Sequence, residues 1–262
     1  MNTGLKGRTA IVAASSQGLG KATAQALAAE GANLALCARN QQALESLAAE
    51  ITAKHKVEVF TRAFDVTDTA SVQSFVEDVA RKFGRIDVCV TNAGGPPAKD
   101  FLALTPEDWR RAFDLNLLST ITFAHAAVPH MQKNKWGRVV AITSVSVKQP
   151  IGDLILSNTI RVGVVGLMRS LANRFGRDGI TFNNVGPGYT RTDRLKQLAA
   201  SRAASANATE EEMFQKWAAD TATGRIAEPE EVADAIVFLA SERAAAITGQ
   251  TILVDNGSYK GL

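Results

Sequence analysis

The chain has 262 residues, 46% of them hydrophobic and 21% charged, enough to bury the core of one large domain. A net charge of +3 without a basic run or interleaved aromatics argues against a nucleic-acid partner and is compatible with a small anionic ligand. Two cysteines in apolar runs, without disulfide or metal spacing, and no apolar run of membrane-spanning length predict a cytoplasmic protein without a membrane partner.

The first predicted element is a buried strand over 9–13, followed by a turn of small residues to Gly20 and a helix with Ala24, Leu27 and Ala28 on its inner face. Such a turn brings the free backbone N–H groups of a helix N-terminus against an anion, because no side chain at Gly18 or Gly20 blocks the approach. A dinucleotide pyrophosphate fits that description. The first glycine of the usual GxGxxG fingerprint is missing, so on this stretch alone a plain tight turn in another α/β protein remains open.

A second strand over 33–38 runs into Arg39 and Asn40, and an amphipathic helix covers 41–53. A third strand, 57–64, ends at Asp65 and Val66, and the helix over 69–83 shares Val72, Phe75, Val76 and Val79 on one face. A fourth strand over 86–91 leads into Asn92-Ala93-Gly94. Repeated strand–helix units with short connections predict a single-domain α/β fold, a Rossmann-type doubly wound parallel sheet with its ligand across the carboxyl ends of the strands.

Beyond that lie a long helix over 106–132, a strand over 139–143 and a charged helical stretch over 194–220 with Met213, Phe214 and Trp217 as its apolar members. A helix within 225–240, started by Pro229 with Glu230 and Glu231 in its first turn, and a last strand over 251–254 complete the chain. His125 and His130 are five apart, which does not put them on one helix face, and no metal site is expected.

From about Gly7 to about Tyr259 the chain resembles the classical short-chain dehydrogenase/reductases. The turn Ala13-Ala14-Ser15-Ser16-Gln17-Gly18-Leu19-Gly20 matches that family's TGxxxGxG, with two alanines replacing its first Thr-Gly. Asp65-Val66 matches its adenine-holding acidic residue, and Asn92-Ala93-Gly94 its NAG. The resemblance assigns Asn116 to a water-organising role and Ser144 to substrate orientation. Pro187-Gly188 with Thr190, Arg191 and Thr192 completes PGxxxT, with Thr192 expected on the nicotinamide carboxamide. It further implies a variable substrate lid over about 191–220.

The chain departs from this pattern where the family has YxxxK. Thirteen residues beyond Ser144 stand Ser157 and, four further on, Arg161. In the family the tyrosine passes a proton to or from the substrate oxygen while hydride moves, and the lysine lowers its pKa and binds ribose. Bringing a phenol from about pKa 10 to about 7 takes roughly 4 kcal/mol, which one ammonium in a dry site supplies. A serine hydroxyl is far too weak an acid for the same help to suffice. Arg161 keeps the charge, faces the same way as Ser157 and can hold ribose hydroxyls, but it does not exchange protons with solvent as lysine does. Tyr189, next to Pro187-Gly188, and Lys148, four residues past Ser144, are the candidates for a replacement acid.

The expected function is an oxidoreductase interconverting a carbonyl and an alcohol on a small-molecule substrate. NADP(H) is favoured over NAD(H), because the second strand ends in Ala38-Arg39 where NAD-binding chains place an acidic residue. The resemblance also implies a homotetramer, joined through the helices over 106–132 and 157–175 and the last strand, with Ala124, Ala126, Ala127, Val164 and Val165 available for contact. Two other functions stay compatible with the residues: dinucleotide binding without redox turnover, as a sensor or partner subunit, and a non-redox enzyme such as a lyase reusing the pocket.

Overall fold

The computed structural model describes residues 2–262. Seven strands, β1 (Thr9–Ala13), β2 (Asn33–Ala38), β3 (Val59–Ala63), β4 (Val88–Thr91), β5 (Gly137–Ile142), β6 (Ile180–Pro187) and β7 (Thr251–Val254), form one sheet of order β3-β2-β1-β4-β5-β6-β7. All six pairings are parallel. The chain winds outward from β1 to β3, crosses back and winds the other way from β4, so the order reverses between β1 and β4 and opens a crevice there.

Alternating residues of the central strands feed two cores. Ala10 and Val12 of β1 face the helices α1 (Gly18–Ala29), α2 (Gln41–His55) and, late in the chain, Pro229–Ala240, through Leu27, Leu44, Leu47 and Ile236. Ile11 and Ala13 face the other way, onto Phe75 of α3 (Thr69–Phe83) and Phe123 and Met168 of later helices. Burial on both faces explains why the strands read as continuous apolar runs. Cys37 and Cys89 sit within these cores, where burial pushes the Cys37 thiol far up and that of Cys89 up to about 12.

The structure departs from the predicted elements in three places. β6 has no counterpart among them, and the side-chain amides of its Asn183 and Asn184 bond to backbone groups of Ile247 and Gln250 rather than to any local partner. The long helix is broken into α4 (Pro106–Phe113), a π-helical turn at Asp114–Leu118 and α5 (Ser119–Asn134). After α6 (Ile155–Phe175), the 194–220 stretch forms two helices, α7 (Asp193–Ala206) and α8 (Glu210–Ala219), separated at Asn207, whose left-handed backbone ends α7. α9 (Pro229–Ala240) follows the predicted start at Pro229. Among the described residues no helix is long and apolar enough to cross a membrane.

α7 and α8 carry a small core of their own, built from Leu195, Ala199, Met213 and Trp217. Arg202 of α7 forms a bidentate pair with Asp153, just before α6, and so fastens these helices beside the carboxyl edge of the sheet.

Candidate active site

A cavity of about 650 Å³ runs along the carboxyl ends of β1 to β6. At one end it is lined by Arg39, Asn40, Asp65 and Val66, after β2 and β3; at the other by Ser144, Ser157, Arg161 and Arg194. Between them lie the turn after β1, Asn92-Ala93-Gly94 after β4, and Pro187-Gly188 with Thr190 and Thr192 after β6.

The turn after β1 has the chemistry of an anion cradle. Gln17 at the N-cap of α1 gives its side chain to no cap bond, and the first turn carries no acidic residue, so the amides and the positive end of the helix dipole are unopposed. Gly20 is packed so closely that a Cβ there would stand 2.3 Å from the Ala14 carbonyl oxygen. Ala14, where the resemblance has glycine, adopts a left-handed backbone (φ 48°), which costs a non-glycine residue about 1–2 kcal/mol. Ser15 faces inward, its hydroxyl donating to the Cys37 carbonyl at 3.3 Å, and neither it nor Gly20 lines the cavity, whereas Ser16, Gln17, Gly18 and Leu19 do.

At the β2 end, Asn40 caps α2 by accepting from the Ala43 amide at 3.0 Å, and Arg39 stands exposed. Asp65 accepts from the amide and hydroxyl of Thr67, which fixes its carboxylate at the cavity rim. Thr192 caps α7 through the Leu195 amide, and its methyl lies 3.6 Å from the position of a Cβ on Gly18, so the start of α7 closes over the turn.

At the other end, α6 presents Ser157 and Arg161 one helical turn apart, both buried and both lining the cavity. Arg161 donates to the Ile142 carbonyl at 3.0 Å, which anchors it to the end of β5. Burial, with the Arg194 cation as a second cause, lowers its pKa to about 10, so it stays charged at neutral pH. Ser144 lies just after β5, its hydroxyl accepting from the Ser146 amide at 3.1 Å.

Asn116 does not line the cavity. It sits in the π-helical turn, buried, donating to the Gly94 carbonyl at 2.9 Å, and its Oδ1 finds no partner. A turn of this kind misaligns the backbone ladder and frees a side chain to reach inward, which periodicity cannot foresee. Tyr189 is also off the cavity: it stacks on Trp217 with ring centroids 5.1 Å apart. Burial raises the pKa of this phenol above its ordinary value, the opposite of what an acid near neutrality needs. Lys148 is exposed and likewise outside the lining. His130 pairs with Glu77 at 3.2 Å and His125 is exposed.

Among the lining residues that no motif singled out are Leu154 and, within the stretch expected only as a lid, Arg194, Leu195 and Leu198. The usable signal was the position of Arg194, two residues past Thr192. Arg194 donates to the Pro96 carbonyl at 2.9 Å and so bridges α7 to the loop after β4 across the cavity mouth.

Comparison with known proteins agrees with this architecture. The family model described as enoyl-(acyl carrier protein) reductase matches residues 13–259. The 3-oxoacyl-(acyl-carrier-protein) reductase FabG of Escherichia coli is 31% identical over 254 residues, 97% of this chain and 98% of its own length. A 3-oxoacyl-(acyl-carrier-protein) reductase of Synechocystis is 35% identical over 257 residues, again covering 97% and 98%. Among solved structures, the L-sorbose reductase of Gluconobacter frateurii, complexed with NADPH and L-sorbose, superimposes with a TM-score of 0.95 at 30% identity over 100% of both chains. YwfH, an NADPH-dependent reductase involved in bacilysin biosynthesis, gives 0.93 at 29% identity over 97% and 99%. The chain belongs to the classical short-chain dehydrogenase/reductase family, oxidoreductases that act between CH–OH and C=O.

Proposed function

We propose that the chain is an NADP(H)-dependent oxidoreductase that interconverts a carbonyl and an alcohol at a site where Ser157 and Arg161 stand in for the family's tyrosine and lysine. The observation that carries this reading is the single cavity joining an anion-binding turn and Arg39 to Ser144, Ser157 and Arg161. Ser16 to Leu19 offer amides to a pyrophosphate, with Ser15 and Gly20 shaping the turn. Asp65 and Val66 flank the adenine, and Asn92, Ala93, Gly94, Pro187, Gly188, Thr190 and Thr192 surround the nicotinamide half. Bound there, the nicotinamide would supply or take up hydride.

The protein's own groups then have to manage charge and proton. Arg161 is a fixed cation beside the two serine hydroxyls and stabilises negative charge developing on a substrate oxygen. It is too weak an acid to give up a proton near pH 7, so the proton comes from water relayed along Ser144 and Ser157. Asn116 acts from behind, holding the Gly94 carbonyl and hence the loop after β4. Residues 191–220, which include α7 and α8, form the substrate lid.

The cofactor preference follows from Arg39, an exposed cation at the end of β2 without a carboxylate in the acidic position usual for NAD. The two structural relatives named with NADPH support it. Titration is expected to show NADP⁺ binding more tightly than NAD⁺, and Arg39→Asp to weaken NADP⁺ by roughly 10- to 100-fold, the worth of a charge-assisted bond to a phosphate. Equal dissociation constants for the two cofactors in the wild type would overturn the preference, and tight NADP⁺ binding with no turnover on any carbonyl would favour the sensor reading.

Assembly as a homotetramer is supported by apolar side chains left outside the core on the elements concerned: Phe113 of α4, Val162 of α6 and Ile252 of β7. Ala124, Ala127 and Val164 are buried within the subunit itself, so they belong to its core and not to a contact. Light scattering at micromolar concentration is expected to give four times the subunit mass; a monomer would exclude this assembly.

A further inference from the structure

The substrate end of the cavity holds more positive charge than the protein itself balances. Arg161 is buried to 8% exposure and has one protein partner in the cavity wall, the Ile142 carbonyl. Arg194, exposed to solvent at the cavity mouth, donates likewise to a carbonyl, that of Pro96. Neither forms an ion pair among the described residues, and the two cations are close enough to act on each other. The acidic side chains on the lining are engaged elsewhere: Asp65 with Thr67 at the far end, and Asp193 facing Lys196 at 3.9 Å.

A buried cation with no counter-charge is costly, and the cost is recovered when a ligand brings one. The pyrophosphate does not reach Arg161. It belongs at the turn after β1, while Arg161 is fastened to the end of β5, two strands across the sheet and so about 10 Å away. Beside the arginines the wall turns apolar, with Leu154, Leu195 and Leu198.

Building on the oxidoreductase reading above, we propose that the substrate is a carbonyl or alcohol compound carrying a carboxylate, which Arg161 and Arg194 hold while its apolar body lies against the three leucines. Arg161, fixed to β5 through one nitrogen, offers its remaining N–H groups both to the reacting oxygen and to the neighbouring carboxylate, and Arg194 closes over the same anion from the lid. The planar guanidinium suits this task better than lysine, because it presents paired donors to the two carboxylate oxygens. The Tyr-to-Ser change fits the same picture, since the smaller side chain leaves room beside Arg161 for the anion.

The test uses the protein saturated with NADP⁺ and two unreactive probes of equal shape, hexanoate and hexanamide, measured by calorimetry. Hexanoate is expected to bind about 10- to 100-fold more tightly, the usual margin of a charge-assisted pair, and Arg161→Gln and Arg194→Gln are each expected to bring the two probes close to equality. Equal binding of the probes by the wild type would overturn the proposal, as would a preference that survives either substitution. Failure of the protein to bind NADP⁺ at all would instead remove the underlying oxidoreductase reading, so the two failures are separable. Because the wild-type comparison stands alone, the result does not depend on either variant folding.

Discussion

Exchanging Ser157→Tyr and Arg161→Lys together is expected to lower turnover of the protein's best substrate by roughly 10²- to 10⁴-fold, although the pair restores the family's usual proton donor and the cation that supports it. Ser157 is buried and faces the cavity beside Arg161, so a phenol in its place projects into the volume where the substrate binds. The arginine is the second reason. It occupies a buried position at the cost of its own hydration, keeps its charge, and is anchored to the Ile142 carbonyl, none of which would be retained in a site that had merely decayed. A lysine there is a point charge with a different reach and loses the paired donors. The kcat/KM of wild type and double variant on the same substrate gives the answer. A rise of similar size would mean that Ser157 and Arg161 record lost catalysis in an otherwise intact family site. Unchanged turnover would contradict both accounts and mean that protons reach the substrate without involving position 157.

The second large effect is expected at Gly20. Its missing side chain is what lets α1 start directly under the turn: a Cβ would stand 2.3 Å from the Ala14 oxygen and 2.9 Å from both the Ala14 carbonyl carbon and the Ser15 Cα, all backbone atoms with no side chain to swing aside. Gly20→Ala therefore pushes the turn off the helix. Overpacking of this kind costs about 1–3 kcal/mol, and because the displaced amides are those that would meet the pyrophosphate, NADP⁺ affinity is expected to fall by roughly 10- to 100-fold as well. Denaturant melts and cofactor titration measure the two parts. Gly166→Ala is the control, since a Cβ on Gly166 in α6 meets nothing within 4 Å. A Gly20→Ala protein that melts and binds NADP⁺ like the wild type would mean that the turn does not hold the cofactor.

Much of the architecture is encoded locally. The apolar run of β1, the small residues of the turn and the spacing of Ala24, Leu27 and Ala28 define a strand, a turn and a helix without reference to anything distant, because side-chain periodicity and the absence of a Cβ are properties of consecutive residues. The same holds for Asn40 and Asp68, which cap α2 and α3 from immediately before them, and for the helical offset that brings Ser157 and Arg161 to one side of α6. The convergence of Ser144, Ser157, Arg161 and the Pro187-Gly188 turn on one cavity was legible because the resemblance supplied a known topology to hang them on.

Other features depend on contacts between residues far apart in the chain. β6 reads poorly as a strand because its two asparagines find partners at 247–250, and the helix predicted over 106–132 gives way at Asp114–Leu118, where buried Asn116 bonds to the loop after β4. Tyr189 follows Pro187-Gly188 in sequence, yet Trp217, nearly thirty residues later, takes its ring into the core of the lid and away from the cavity. Arg194 reaches the cavity for the complementary reason, because the Pro96 carbonyl accepts its guanidinium across the mouth. In each case the direction of a side chain is set by which distant surface can bury its apolar part or satisfy its polar end, and that competition exists only once the elements have packed.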